Sequence, residues 1–350
     1  MKTWKNRAAW LRNNSGFGLM FHYIDKPASS NAPSATTPAE WNRRVDSFDV
    51  PRFARHVRAT GASWIIFTLG QNTGHYCSPN AAYDEITGLT GNASRLSRRD
   101  LVAEIASALA PDTKLIAYLP SHAPANHPEA VRALRCTPPW DASKWGLNCQ
   151  DHQDRQNCQK KCWPDSETAD ERLTEMQRNW EAVTAHWGER WGEVVAGWWI
   201  DGCYFAARMY PKNEHAGDDA DGFAPFARAL RTGNPGRILA FNSGTASPFE
   251  RLAVDQDYTA GEFSNRLPVD DKWTPLDATT DGMQTHLLGF LGNYWGAGEP
   301  RFPDAFVADY TRYLTQRGVA LTWDIPVAPD GDIPAAFLRQ IETATARVQG

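Results

Sequence analysis

The chain alternates short, almost continuous apolar runs with longer amphipathic stretches. The runs "GFGLMFHYI" (16–24), "ASWIIFTL" (62–69), "KLIAYLP" (114–120), "VAGWWID" (195–201) and "RILAFNS" (237–243) each carry too few polar positions for a half-exposed strand. They suit strands covered on both faces, as in a parallel sheet flanked by helices. Weaker runs at "AVDQDYTA" (253–260), "MQTHLLGFL" (283–291) and "GVALTWDIP" (318–326) bring the candidate strands to eight. Helical spacing fills the intervals. Asp49 and Pro51 open one helix with Val50, Phe53, Ala54 and Val57 on a face, and Asp100 opens another with Leu101, Ile105 and Leu109 in register. "TADE" from Thr168 reads as a capping box with Glu171. Leu173, Met176, Trp180, Val183 and Trp187 then step by three and four, with a stop expected at Gly188. Phe306, Tyr310, Tyr313 and Leu314 mark a further helix before Gly318. Strand–helix alternation predicts an α/β fold with a parallel sheet, and eight strands favour a (β/α)8 TIM-type barrel over an open doubly wound sheet. No Gly-rich dinucleotide fingerprint follows the first strand, which weighs against the open alternative. The simplest parse is one domain over 1–350, expected to lack a C-terminal β-sandwich.

In such a barrel the C-terminal ends of the strands share one pocket. Reading those ends gives His22, then Gln71, Asn72 and His75, then Tyr118 and His122. The series continues with Trp199 and Asp201, Asn242, Glu262, Asn293 with Trp295, and Trp323 with Asp324. One such residue is a strand cap; this many converging polar ends predict a site for a polyhydroxylated ligand. Asp201 closes an apolar run, where an unpaired carboxylate is costly, so it either caps the next turn or is held for chemistry. Glycoside hydrolysis needs two carboxyl groups, one to protonate the leaving oxygen and one to attack or to activate water. Asp201 is the expected nucleophile and Glu262, in "YTAGEF", the expected acid/base, with Glu299 in "WGAGEPRF" in reserve.

Charge and composition narrow the partners. The formal net charge is -5, charged residues are 22% and hydrophobic ones 42%, an ordinary globular balance that does not favour nucleic acid or an anionic membrane as partner. No apolar run has the length of a membrane span, and "MKTWKNRAAWLRNNSG" lacks the apolar region of a signal peptide. The 15 Trp exceed what such a chain needs. Most are expected in the core, with those at strand ends placed to stack on sugar rings.

At these positions the sequence resembles the α-L-fucosidases of glycoside hydrolase family 29. "GFGLMFHY" is similar to that family's first strand, which ends in a sugar-binding His, here His22. "SFDVPRFARHVRATGASWIIFTLGQNTGHY" resembles its second helix–strand unit, and "WWIDG" its nucleophile strand, with Asp201 at the nucleophile position and Trp199 at the accompanying Trp. "GVALTWDIPVAPDGDIP" resembles its last strand and exit. The resemblance implies a retaining, exo-acting glycosidase that releases a terminal fucose-like sugar. His22, Gln71, Asn72, His75 and Tyr118 would hold hydroxyls, and Trp199 and Trp295 would pack on the ring. It implies no cofactor and no metal at the site, and a glycan or oligosaccharide as partner. The sequence departs from the family where Lys-His-His-Asp becomes Gly70, Gln71, Asn72 and Thr73, and where the Arg after the fifth strand is missing from "AFNSGTAS". It departs again where a Trp-Glu pair near the sixth strand becomes "KWTP", with Thr274 in place of the Glu. The alternative reading these departures raise is a non-catalytic carbohydrate-binding protein on a decayed glycosidase barrel.

Six Cys are present, and four of them, Cys136, Cys149, Cys158 and Cys162, fall in a Cys-rich insertion around 121–164. Their spacing is not a standard zinc pattern. Two disulfides bracing the loop are expected, with a four-Cys zinc site as the alternative; disulfides would place the protein in the periplasm or outside the cell. Cys77 and Cys203 are expected as buried thiols.

Overall fold

The computed structural model describes residues 6–26, 34–122, 124–136, 169–205, 210, 212, 214–245, 249–271 and 276–350. Nine strands are present among them: β1 (Phe17–Phe21), β2 (Trp64–Thr68), β3 (Lys114–Pro120), β4 (Val195–Asp201), β5 (Ile238–Phe241), β6 (Thr279–Thr280), β7 (Met283–Gln284), β8 (His286–Phe290) and β9 (Ala320–Asp324). Seven form one parallel sheet in the order β5-β4-β3-β2-β1-β9-β8, while β6 and β7 make a small antiparallel hairpin. The helices are α1 (Pro38–Asp46), α2 (Val50–Ala59), α3 (Ala81–Thr87), α4 (Leu101–Leu109), α5 (Pro128–Ala133), α6 (Ala169–Trp191), α7 (Ala224–Leu230), α8 (Asp304–Thr315) and α9 (Ala335–Gln349). This is an α/β fold with a parallel sheet, as the alternation predicts. The expected N-caps form: Asp49 accepts from the Arg52 N–H, and Asp100 from the Ala103 N–H.

The two faces of the sheet explain why the runs are apolar throughout. Along each strand the side chains alternate. Leu19, Phe21, Ile65, Phe67, Leu115, Ala117, Trp198 and Ile200 belong to the core beneath the helices. Met20, Trp64, Ile66, Ile116, Tyr118, Trp199, Ile238 and Ala240 belong to a second, separate core on the other face. The same parity carries Asp201 two residues past Trp199 and Asn242 two residues past Ala240. At the strands' N-terminal ends the segment Arg7–Arg12 supplies Ala8 and Leu11 to that second core. Trp10 meets Trp64 edge-on at 6.2 Å, and the Lys114 ammonium sits 4.2 Å from the Trp10 ring centre.

The sequence pattern for a strand at 253–260 meets a different outcome. No regular strand forms there, yet the segment 257–263 hydrogen-bonds to both edges of the sheet. The Asp257 N–H donates to Leu239 O (2.9 Å), the Phe263 N–H to Leu288 O (2.9 Å), and the Leu288 N–H to Gly261 O (2.9 Å). Gly261 breaks the regularity, with φ at +65° and so little room that a Cβ would lie 1.8 Å from His286 O. Only glycine fits that close approach. Tyr258 and Ala260 still join the inner core, so the alternation brings Glu262 to the inner face.

Gly188 also departs from expectation, because α6 runs through it to Trp191. A Cβ at 188 would lie 2.8 Å from Thr232 O and 3.0 Å from the Arg237 guanidinium. The absent side chain lets α6 approach α7, and it does not end the helix. Arg237 is fully buried and donates to five carbonyls: Val195 O (3.1 Å), Leu230 O (2.9 Å), Thr232 O (2.8 Å), Gly188 O (3.1 Å) and Gly192 O (2.5 Å). All five guanidinium N–H groups are thereby used. Arg237→Met should lower unfolding stability by roughly 2–4 kcal/mol, since buried carbonyls would lose their donors; urea unfolding followed by fluorescence reads the change. An effect below roughly 0.5 kcal/mol would mean that the carbonyls find other partners.

The tryptophans mostly fill the core: Trp41, Trp64, Trp180, Trp187, Trp198 and Trp323 are all fully buried. Cys77 and Cys203 are buried free thiols, as expected. Cys136 is buried, and no disulfide joins it to either of these. Cys149, Cys158 and Cys162 lie outside the described residues, as do the Thr168 cap and Thr274. Among the described residues, no cluster of His, Cys, Asp and Glu could hold a metal ion, and no helix is long and apolar enough to cross a membrane.

Candidate active site

Parallel pairing sets Pro120 beside Asp201, Trp199 beside Ala240, and Met20 beside Asp324, so the polar strand ends emerge at one level. Asp201 is the most heavily bonded of them. Its Oδ1 accepts from the Gly202 N–H (2.7 Å), the Asn242 amide (2.9 Å) and the Tyr204 hydroxyl (3.1 Å). Its Oδ2 accepts from the Tyr118 hydroxyl at 2.5 Å. Donors aimed at both oxygens fix the orientation of the carboxyl group. Tyr118 receives in turn a hydrogen bond from the Gln71 amide. Burial first, and then the Asp201 charge, push the Tyr118 phenol well up, so it stays a neutral donor.

Asn242 joins the two carboxyl groups. The nitrogen that donates to Asp201 Oδ1 also donates to Glu262 Oε2 at 2.5 Å. Its own Oδ1 accepts from the Gly244 N–H (2.9 Å), which fixes the amide's orientation. Asp201 Oδ1 and Glu262 Oε2 therefore cannot be farther apart than those two hydrogen bonds laid end to end. That limit, set by one pair of oxygens, brings the two carboxyl groups close enough to act on a single bond. The two groups occupy unlike environments. Burial and the neighbouring Asp201 charge push the Glu262 carboxyl up to about 7, against the pull of Asn242 and His22. A carboxyl raised in this way keeps its proton to higher pH than an ordinary one, which is what a general acid needs.

On the opposite wall, His22 Nδ1 lies 2.6 Å from Asp324 Oδ1. Asp324 is fully buried and also accepts from the Gly296 N–H at 2.5 Å. The buried carboxylate oxygen accepts a hydrogen bond from Nδ1–H, which leaves His22 Nε2 for a ligand. Burial raises the Asp324 carboxyl, opposed by the His22 ring and the Gly296 N–H. Trp295 packs 5.7 Å from the His22 ring and 4.8 Å from Phe290. The structure thus brings His22, Gln71, Tyr118, Trp199, Asp201, Glu262 and Trp295 together at the strand ends.

Other expected residues lie elsewhere or do other work. Trp199 is 2% exposed and stacks against Tyr118 at 5.3 Å with 14° between the planes, so it supports that ring from below. His75 Nε2 bonds the Thr36 carbonyl (3.1 Å) and its ring packs on Trp41 (5.4 Å), which ties the loop after β2 to the start of α1. Asn72 adjoins Gln71 and keeps a buried Oδ1 with no partner. Trp323 turns towards α8 and donates to Thr311 (3.0 Å). Asn293 accepts from the backbone N–H of Glu299, and Glu299 itself is exposed. Sequence reasoning missed Tyr204. It lies outside any strand, so no alternation could place its hydroxyl on Asp201.

A scan against protein-family models and a search of curated proteins found no match. Solved structures do match over almost the whole chain. The endo-fucoidan hydrolase P5AFcnA of glycoside hydrolase family 107 shares 15% identity over 99% of this chain and 94% of its own, with a TM-score of 0.62. The α-L-fucosidase AlfC from Lactobacillus casei, in complex with α-L-fucose, shares 13% over 98% of each chain, with a TM-score of 0.57. The endo-fucoidan hydrolase MfFcnA4 shares 17% over 97% of this chain, with a TM-score of 0.65, but this chain spans about half of its length (53%). The fold is one that glycoside hydrolases use. At such identities the likeness carries the architecture and no more, so chemistry has to be argued from the two carboxyl groups.

Proposed function

We propose that the protein is a retaining, exo-acting glycoside hydrolase of the α-L-fucosidase type that releases a terminal fucose-like sugar. The observation that carries this reading is the single Asn242 amide donating to both Asp201 and Glu262. In the proposed reaction Asp201 attacks the anomeric carbon while Glu262 gives its proton to the departing glycosidic oxygen. Asp201 Oδ2, which accepts one hydrogen bond where Oδ1 accepts three, is the oxygen with lone pairs to spare. Glu262, now ionised, then takes a proton from water as that water displaces Asp201, and the net configuration is retained. His22, Gln71, Asn72 and Tyr118 line the sugar's side of the site, with the half-buried Trp295 as its aromatic wall. The architecture that suits this chemistry is one (β/α)8 domain in which the segment 257–263 serves as the missing strand between β5 and β8. That reading rests on the hydrogen bonds the segment makes to both.

The raised Glu262 carboxyl favours this enzyme over a decayed carbohydrate-binding barrel, since a binding site has no use for a protonated acid beside a bonded carboxylate. A panel of aryl glycosides tests the choice. Turnover of the aryl α-L-fucoside above the other sugars, with the α-anomer released first in a proton NMR time course, is the expected result. No turnover of any aryl glycoside, with fucose still bound, would establish the binding protein instead.

A further inference from the structure

Beyond the carboxyl pair lies a cavity of about 230 Å³ that includes Glu262 in its lining and excludes Asp201. None of the residues on the sugar side, His22, Gln71, Tyr118 or Trp295, lines it. Its walls come from the loops after β5 and after Glu262. Phe249, Phe263, Leu267 and Val269 supply apolar surface, and Thr245 and Arg266 supply polar groups. The walls are braced from behind. Phe263 fills the space above Gly289, where a Cβ would lie 2.3 Å from its ring, and meets Trp323 edge-on at 6.0 Å. The Tyr310 hydroxyl holds Pro268 O at 2.5 Å, the Tyr313 hydroxyl holds Asp270 N at 3.0 Å, and the Arg301 guanidinium holds Ser264 O at 2.9 Å. Arg266 is exposed and has no ion-pair partner among the described residues.

We infer that this cavity is the leaving-group subsite and takes one sugar residue, the first unit beyond the bond that is cut. This rests on the assignment of Glu262 as the acid. A general acid must reach the leaving oxygen, so the space that opens from Glu262 away from Asp201 is where the leaving group lies. Its size falls below the roughly 300–1,000 Å³ of pockets for drug-sized ligands, which suits one ring and not an oligosaccharide. A sugar ring has an apolar face for Phe249, Leu267 and Val269, and hydroxyl oxygens that accept from Arg266, a residue rich in donors. The enzyme would then read the sugar on both sides of the bond, with separate residues for each.

Calorimetry on Asp201→Asn protein, which holds substrates without turning them over, provides the test. The probes are methyl α-L-fucoside, which cannot fill the cavity, and an α-L-fucosyl disaccharide, which can. The disaccharide should bind at least about tenfold tighter, a difference of about 1.4 kcal/mol. Adding Phe249→Ala or Arg266→Ala should bring the two affinities within about twofold of each other by weakening the disaccharide. Arg266 is exposed, so its variant keeps the test sound should Phe249→Ala unfold. Equal binding of both probes by the parent, or equal weakening of both by the added substitutions, would overturn the subsite while leaving the fucosidase reading intact. A parent that binds neither probe would overturn both. A disaccharide advantage in a wild-type protein that turns over no aryl fucoside would keep the subsite as a binding site and sink the hydrolase.

Discussion

Asp201→Asn is expected to lower turnover of an aryl α-L-fucoside by at least about 10⁴-fold, equivalent to about 5 kcal/mol of barrier, while the protein keeps its fold. The substitution preserves shape and removes the charged nucleophile. An amide in its place can still accept from the Gly202 N–H through its oxygen, so the turn after β4 keeps its cap. It cannot form the covalent intermediate. If Asp201 served only as that cap, the variant would keep its activity, because capping asks for an acceptor and not for a charge. Asp201→Gly adds a second readout. Azide can enter the vacated space and attack the anomeric carbon directly, in one displacement, so the glycosyl azide should have the opposite anomeric configuration to the substrate. Near-normal turnover by Asp201→Asn at unchanged thermal stability would remove Asp201 from the mechanism.

How much of this could be read from the sequence differs from part to part, for physical reasons. The strands were legible because parallel strands are buried on both faces, and runs such as "VAGWWID" have no other stable home. Asp201 was legible for the same reason, as a lone acid at the end of such a run. The segment before Glu262 was only half legible: Tyr258 and Ala260 keep a strand's alternation, but Gly261 bends the backbone against the His286 carbonyl. That approach depends on a partner far along the chain. Trp199 shows a second limit, since alternation gave its direction but not its depth, and depth made it a support for Tyr118. Asn242 stood in the strand-end series, yet its bridging role appears only when two carboxyl groups meet on one amide nitrogen. Tyr204 carried no signal at all, because no periodicity reaches past Gly202.

Glu262→Ala is expected to lose about 10²–10⁴-fold on a natural fucosyl glycan and far less, in the glycosylation step, on a substrate whose leaving group departs without a proton. The second step then becomes limiting, because no base activates water. Azide needs no base, so it should restore turnover. Two displacements in sequence would give a glycosyl azide of the same configuration as the substrate, the opposite of the Asp201→Gly product. The wild-type pH profile follows from the same group. A carboxyl raised to about 7 holds its proton below that pH, so the rate on a poor leaving group should fall as pH rises through about 7. The limb should be shallow when the leaving group is good. The sign for stability agrees: a carboxyl raised from 4.5 in the folded state stabilises the fold at low pH, and that contribution is lost as pH rises through about 7. Because the Asp201 charge is one cause of the rise, Asp201→Asn should lower the Glu262 titration, which carbon-13 NMR of labelled glutamate can follow. Equal loss on both substrates with no azide product would leave Glu262 a structural or binding residue. Glu299 would be next, although it is exposed. If Glu299→Ala also lacks this pattern, the site does not work through a pair of carboxyl groups.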